Sequence, residues 1–405
     1  MLKPYLYISV LSLFFFLLLP GAGAFYVRGQ WRKFRKNMLE STLRTFVAYT
    51  DIHAPQQGYI GMYRFIGTLE ALGENSVWIK NSRFTVSAVM DKCQVFLLPS
   101  RAMVEKEGIF ENNVETLPEE SPQRISWKSI FTLPEGTTVF ITGELYREGG
   151  KAVFRSSREN PLIMVIFDGS EKTILRRSIW GGRQKNEYWN QFTFPSLIVG
   201  FFSLLVYSYL LYRNDITMML PFAAALTAGL LPLAGFLPPG LLGVFLFRNY
   251  WRRARMLRAE RDLVLLPMWL FLSRQGDDGD YQPEVLPEGS AYSFYAANSN
   301  IENVSKRCSH DIKIRVPSFI PRPSRSEMHS YYLFGVPVPA GEDLVYISPA
   351  DPMGEYILIP DNPRKLSEQC SVSARKFEYI SVFAFTAGLG TNLFLIFWIL
   401  YTIIK

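Results

Sequence analysis

Apolar positions gather along this chain into four long blocks, and between them the polar stretches alternate in short runs with a period of two. The blocks cover roughly residues 3–27, 194–212, 217–247 and 379–404. About 20 apolar residues cross a hydrocarbon core as a helix, so the first, second and fourth blocks each predict one transmembrane helix. The third is too long for one straight crossing and contains Pro232, Pro238, Pro239 and Gly240. Proline removes a backbone donor and clashes with the preceding turn, so this block predicts a proline-broken crossing, with a tight helical hairpin as its rival.

The exits of the first and third blocks repeat one pattern. Arg28-Gly29-Gln30-Trp31-Arg32-Lys33-Phe34-Arg35 follows the first, and Arg248-Asn249-Tyr250-Trp251-Arg252-Arg253-Ala254-Arg255 follows the third. Lys and Arg beside a span set its orientation, and Trp favours the headgroup layer. The expected membrane-interface residues are therefore Trp31, Arg32, Lys33, Arg35, Trp251, Arg252, Arg253 and Arg255, with anionic headgroups as their partner. With Arg364, Lys365, Arg375 and Lys376, these flanks fall on one side, expected to be cytoplasmic, and both termini fall on the other. The first block has a second reading, a secretory signal ending near Ala22-Gly23-Ala24. The five basic residues that follow weigh against cleavage and for an anchor.

The polar regions 28–192 and 248–378 read as β-rich. Tyr63–Leu69, Ser76–Lys80, Thr85–Val89, Val95–Leu98, Thr137–Tyr146, Lys151–Arg155 and Pro161–Phe167 are short runs separated by turn residues, and Arg147-Glu148-Gly149-Gly150 marks a hairpin. So many short strands predict a small closed or partly closed, OB-like barrel, with a helix or irregular linker over 171–191. The second region carries ordered echoes of the first. Pro134–Ile141 aligns with Pro339–Ile347, Asn160-Pro161 with Asn362-Pro363, and Tyr63-Arg64-Phe65 with Tyr292-Ser293-Phe294. Together with the repeated basic exit, they predict an internal duplication.

Composition narrows the chemistry. Of 405 residues, 48% are hydrophobic and 15% aromatic, concentrated in the four blocks; the net charge of +7 lies beside them rather than on a nucleic-acid-binding face. Cys93, Cys308 and Cys370 form no CxxC pair, so neither a zinc ribbon nor a disulfide scaffold is expected. Cys308, His310, His329 and Cys370 lack metal-site spacing, and Asp277–Asp280 lacks the oxygen pattern of a calcium loop. Phosphate-binding loops, nucleophile elbows and HExxH are missing from the sequence, as are ionisable residues within the four spans. No catalytic, cofactor or metal residue is expected.

A span, a basic exit, the strand approach from Gly58 to Gly67, Thr142-Gly143-Glu144-Leu145 with its Gly-Gly turn, and a second span soon after resemble the BAM ("beside a membrane") domain. That domain belongs to membrane-anchored ubiquitin ligases of the GIDE type and their bacterial relatives. The resemblance covers about residues 10–212 and implies a membrane-apposed domain. The Cys/His-rich RING that carries the ligase chemistry is not expected here, with three cysteines and the chain ending just past its last span. The sequence thus predicts an α+β membrane protein with four transmembrane helices and two small duplicated β-rich domains. The expected localisation is multi-pass, in a bacterial inner membrane. The expected role is non-catalytic binding or scaffolding, with a possible membrane-protein partner and no nucleic acid. A transporter or its accessory subunit, and a membrane enzyme of unseen site, are the alternatives.

Overall fold

The computed structural model describes residues 2–41, 44–52, 57–98, 121–126, 133–169, 171, 174–185, 187–214, 218–266 and 362–404, together with the backbone of nine strands between 268 and 359. Two compact units emerge. Unit 1 holds 1–33, 185–258 and 370–405, and unit 2 holds 34–184 and 259–369.

Unit 1 is helical. It opens with α1 (Leu2–Ser12), a π-helical turn (Leu13–Leu18) and α2 (Leu19–Ser41), which form one continuous rod. Proline explains the π turn. The Leu19 N–H bonds the Phe14 carbonyl five residues back, and the next donor in that register would be Pro20, which has none. In unit 2, β1 (Thr45–Phe46), α3 (Tyr49–Ile52), β2 (Gly58–Leu72), β3 (Ser76–Lys80), β4 (Thr85–Val89), β5 (Gln94–Leu97), β6 (Gln123–Ile125), β7 (Thr138–Glu148), β8 (Lys151–Arg155), β9 (Ile163–Ile166) and α4 (Ile174–Gln184) follow. The chain returns to unit 1 with α5 (Thr193–Asn214), α6 (Met219–Gly229), α7 (Leu231–Ala234) and α8 (Pro238–Val264). The strands β10 (Met268–Leu272), β11 (Val285–Leu286), β12 (Ala291–Tyr295), β13 (Lys306–Arg307), β14 (Ile312–Lys313), β15 (Ser330–Phe334), β16 (Pro337–Ala340), β17 (Leu344–Ile347) and β18 (Ile357–Ile359) come before α9 (Pro363–Ile404).

Three helical stretches, Lys3–Ser41, Thr193–Arg213 and Pro363–Ile403, are long and apolar enough to cross a membrane. The first and last extend beyond the expected spans 3–27 and 379–404, because the basic exits continue as helix. The third apolar block is interrupted, as its prolines require. Its halves are α6, which packs antiparallel on α5 (Tyr212 ring to Phe222 ring 5.4 Å), and α8, which packs antiparallel on α9 (Phe247 to Phe385 5.3 Å, Tyr250 to Phe377 6.1 Å).

The barrel of unit 2 closes. β2 pairs with β3, β3 with β4, β4 with β8 in parallel, β8 with β7, and β7 with β2, so five strands form a ring as the alternation predicted. Alternate residues fill it: Phe65, Leu69, Val77, Ile79, Val86, Ala88, Ile141, Leu145 and Phe154 are all buried. Closing so small a ring requires sharp bends, and the 15-residue β2 carries irregularities at 59/61 and 69/71. Gly149 and Gly150 turn β7 into β8 with φ of 55° and 81°, the left-handed pair that a tight hairpin needs. Beyond the ring, β7 pairs with β9, β9 with β5 in parallel, and β5 with β6.

The strands after α8 follow a related order. Taken along the chain, β2, β3, β4, β7 and β9 pair so that the first contacts the second and fourth, the second the third, and the fourth the fifth, all antiparallel. The set β10, β12, β13, β15 and β18 pairs in the same way. The hairpin β16–β17, which follows β15, forms a separate two-stranded sheet. The short strings aligned in the sequence do not obey this correspondence: Tyr63–Phe65 lies on β2, whose counterpart is β10, whereas Tyr292–Phe294 lies on β12. The Asp277–Asp280 run, Cys308, His310 and His329 lie outside the described residues.

Candidate functional site

The repeated basic exit is the first candidate, and its eight residues divide by position. Arg32, Lys33 and Arg253 are exposed, while Arg252 and Trp251 are half-buried. Trp31, Arg35 and Arg255 are buried. In both copies the last arginine is a structural donor. Arg35 Nη1 donates to the Gly182 carbonyl at 2.7 Å, and Arg255 Nη1 donates to the Lys185 carbonyl at 2.6 Å. Gly182 lies in the last turn of α4 and Lys185 directly follows that helix, where backbone oxygens lack helical partners and the dipole favours a cation. Each tryptophan also carries a cation over its ring: Lys185 over Trp31 at 6.0 Å, Arg255 over Trp251 at 5.2 Å. Of the expected interface set, Arg32, Lys33 and Arg253 present their charge to solvent. Arg35 and Arg255 are committed to the main chain.

The second candidate lies on the barrel, at the Thr142–Leu145 string. Glu144, nearly buried on β7, accepts hydrogen bonds from Asn160 Nδ2 (2.9 Å), Ser157 Oγ (2.8 Å) and Tyr146 Oη (3.0 Å). Burial alone pushes its carboxyl up. The three donors and the nearby Arg44 guanidinium outweigh that and hold it below the ordinary carboxylate range. Arg44 Nη1 donates to Thr142 Oγ1 at 2.8 Å. Gly143 gives room to Leu162, whose Cδ1 a Cβ there would meet at 2.6 Å and displace. The string thus fastens the loop 156–160 and the α2–β1 connection to the barrel wall. Its acid is fully hydrogen-bonded and is not disposed as a general acid or base. Burial likewise pushes the Cys93 thiol up, away from the reactive thiolate.

The third candidate lies in unit 1 and was not anticipated from the sequence. Asn392, on α9, is 1% exposed and donates through Nδ2 to the Ala234 carbonyl and, at 3.3 Å, to the Leu237 carbonyl. In a continuous helix the Ala234 carbonyl would accept from residue 238, and residue 238 is proline. Asn392 supplies the missing donor. A Cβ on Gly240 would collide with both the Ala234 carbonyl and Asn392 Nδ2, so glycine is required for the approach. Gly243 and Gly388 let α8 and α9 come together below this point, with a Cβ on Gly388 meeting Gly243 Cα at 3.1 Å. The signal was an amide in an apolar segment. A search confined to ionisable residues passes over it.

Among the described residues, no group of three or more His, Cys, Asp or Glu side chains is placed to hold a metal ion. In comparison with known proteins, no family model, no curated protein and no solved structure matches this chain.

Proposed function

We propose that the chain is a multi-pass integral membrane protein with a non-catalytic binding or scaffolding role beside the bilayer. The carrying observation is where its exposed apolar surface lies. Leu6, Tyr7, Val10, Leu17, Phe25, Phe194, Phe202, Tyr209, Phe236, Phe245, Phe383, Trp398 and Ile403 are all at least 55% exposed, and every one belongs to unit 1. On the barrel, among the described residues of 44–169, the large exposed hydrophobics are Tyr49 and Tyr59. Soluble monomers rarely show contiguous apolar patches beyond a few hundred Å², and covering this one with lipid removes the cost.

Four crossings follow if α6–α8 count as one broken span. The β-rich regions then share one side, which the basic exits make cytoplasmic, and a bacterial inner membrane is the compartment we assign. The common strand order supports duplication of a unit made of span, basic exit, barrel and span. The BAM-like reading rests on the same layout, and the exposed Arg32, Lys33 and Arg253 are the contacts to anionic headgroups. A membrane-protein partner fits a scaffold of this kind.

Cysteine accessibility tests the arrangement, in a background with Cys93, Cys308 and Cys370 replaced by serine. In intact cells Arg213→Cys is expected to label, and Glu74→Cys and Glu368→Cys only after permeabilisation. Glu74→Cys and Glu368→Cys labelling from opposite sides would refute four crossings. Release of the protein by alkaline carbonate would refute the integral reading.

A further inference from the structure

We infer that two rings of aromatic side chains on unit 1, tyrosine and tryptophan with Phe194, fix the thickness of the bilayer it fits, at a hydrocarbon core of about 27 Å. The inference rests on the membrane reading above and adds a property of the lipid partner that this reading leaves open. Exposed aromatic side chains occur on three helices at two levels. One level holds Tyr26 on α2, Trp189 and Phe194 at the start of α5, and Tyr379 on α9. The other holds Tyr7 on α1, Tyr209 and Tyr212 on α5, and Trp398 on α9.

Contacts within unit 1 tie the levels together. Asn190 Nδ2 donates to the Pro20 carbonyl at 3.1 Å near the first, and the Tyr7 and Tyr207 rings lie 6.1 Å apart near the second. Tyr250 stacks on Phe377, two residues from Tyr379, so α8 brings its own aromatic pair, Tyr250 and Trp251, to the first level.

The spacing is nearly the same on each helix. At 1.5 Å per residue of α-helix, Phe194 to Tyr212 spans about 27 Å and Tyr379 to Trp398 about 28 Å, and Tyr7 to Tyr26, with the π turn between them, spans slightly less than 28 Å. The three segments share no sequence pattern that would impose this figure. Between the levels the large exposed side chains include Val10, Leu13, Phe14 and Leu17 on the first rod, Phe202, Leu205 and Val206 on α5, and Phe383 and Phe394 on α9. The exposed polar residues there, Ser9, Thr386 and Thr391, are small and uncharged, and both threonine hydroxyls bond back into their own helix. Charge begins just outside: Lys3 precedes Tyr7, Arg28 follows Tyr26, and Arg213 follows Tyr212. Tyr and Trp favour the boundary between headgroup and hydrocarbon, so the two rings mark the edges of the core. A usual helix tilt of about 20° shortens the span by roughly 6%, to about 25–27 Å, which is the thin side of biological bilayers.

The test uses the full chain in phosphatidylcholine vesicles of graded acyl length. Single spin labels at Tyr379→Cys, Phe383→Cys, Gly390→Cys, Phe394→Cys and Trp398→Cys report depth through the ratio of oxygen to nickel-chelate accessibility. Positions 379 and 398 are expected to be equally shallow and 390 the deepest. Quenching of the native tryptophans by brominated lipids is expected to show tightest lipid association at a core near 27 Å, falling on either side. An optimum at about 33 Å or thicker, or clearly unequal depths at 379 and 398, would overturn the thickness inference while leaving the protein in the membrane. Labels that are all water-accessible, with no oxygen-rich position, would overturn the membrane reading as well.

Discussion

Replacing Asn392 by leucine is expected to loosen the helical unit by about 2 kcal/mol. The change keeps the number and branching of the side-chain heavy atoms and adds apolar surface, and its two bulkier methyl groups add a packing cost that the cycle with Gly240→Ala separates from the lost hydrogen bond. The hydrogen-bond cost arises at one atom. The Ala234 carbonyl loses the Nδ2 donor, and Pro238, four residues on, has no N–H to replace it. Interhelical hydrogen bonds in membranes contribute about 0.6 kcal/mol on average and about 1.7 at most. A buried acceptor left without a donor costs about 1–3 kcal/mol. The lower part of the combined range is the appropriate figure, because the Leu237 carbonyl keeps its helical donor, the Leu241 N–H at 2.7 Å. A loss of 2 kcal/mol is about a thirtyfold shift in the unfolding equilibrium.

The assay is reversible unfolding from mixed micelles with sodium dodecyl sulfate, followed by far-ultraviolet circular dichroism. Thr391→Leu is the control, on the exposed side of the same turn, where the hydroxyl bonds only its own helix at the Ala387 carbonyl. Gly240→Ala supplies the second half of a cycle, since its Cβ would displace Asn392 from the Ala234 carbonyl. Its penalty is expected to shrink in an Asn392→Ala background. If Asn392→Leu falls within about 0.5 kcal/mol of Thr391→Leu, the amide is a bystander and the argument fails.

Other perturbations separate structural charge from lipid-facing charge. Arg35→Ala is expected to destabilise unit 2 by about 2 kcal/mol through the lost bond to Gly182, measured by urea unfolding in detergent. The double change Arg32→Gln, Lys33→Gln is expected to leave that midpoint in place and to weaken association with anionic vesicles by about 1 kcal/mol per residue, an effect that added salt removes. Glu144→Gln bears on pH. The Glu144 carboxyl is held below its unfolded value, so its contribution is complete above the ordinary carboxylate range of about 4.3 and is lost as pH falls through the lower folded value. The stability gap between wild type and Glu144→Gln should therefore close on acidification below about pH 4; a gap independent of pH would contradict the charge-based account.

Much of the barrel was legible because each strand there is short, alternates, and ends at a turn residue. Ser76–Lys80, Thr85–Val89 and Lys151–Arg155 form strands at the expected residues. The reach of β2 was not legible: its first residues, Gly58 to Met62, pair with β7 and do not show a clean alternation of burial. The helices run beyond the apolar blocks 3–27 and 379–404 that the sequence marks. A run of basic residues reads as the end of a span, yet the helix does not stop there, since Arg35 and Arg255 find backbone carbonyls that repay their burial. The strings aligned in the sequence, such as Tyr63–Phe65 with Tyr292–Phe294, do not fall on corresponding strands, because pairing order is set by buried alternation and loop length rather than by short strings. Asn392 was invisible for another reason. Its value depends on a carbonyl 158 positions earlier in the chain, and no local pattern announces that distance.

The same relation occurs a second time, and it bears on whether the broken helix serves transport. In the first rod Pro20 deprives the Phe15 carbonyl of its donor in the π register, and Ser196 Oγ of α5 donates to that carbonyl. In the third block Pro238 deprives the Ala234 carbonyl, and Asn392 of α9 donates to it. By contrast Ser208, Thr227 and Thr386 bond back into their own helices. In hydrocarbon an orphan carbonyl must be paired, and a discontinuous helix that binds an ion does so with such carbonyls left open toward a cavity. Here the carbonyl opposite each proline already accepts from a neighbouring side chain, Ser196 or Asn392, and so is not left an orphan. The arrangement favours a static bundle that carries β-rich domains over a gate. A transporter reading would require Asn392→Ala to raise solute or ion flux in proteoliposomes by releasing the Ala234 carbonyl; a static scaffold requires that flux remain at the lipid background while stability falls.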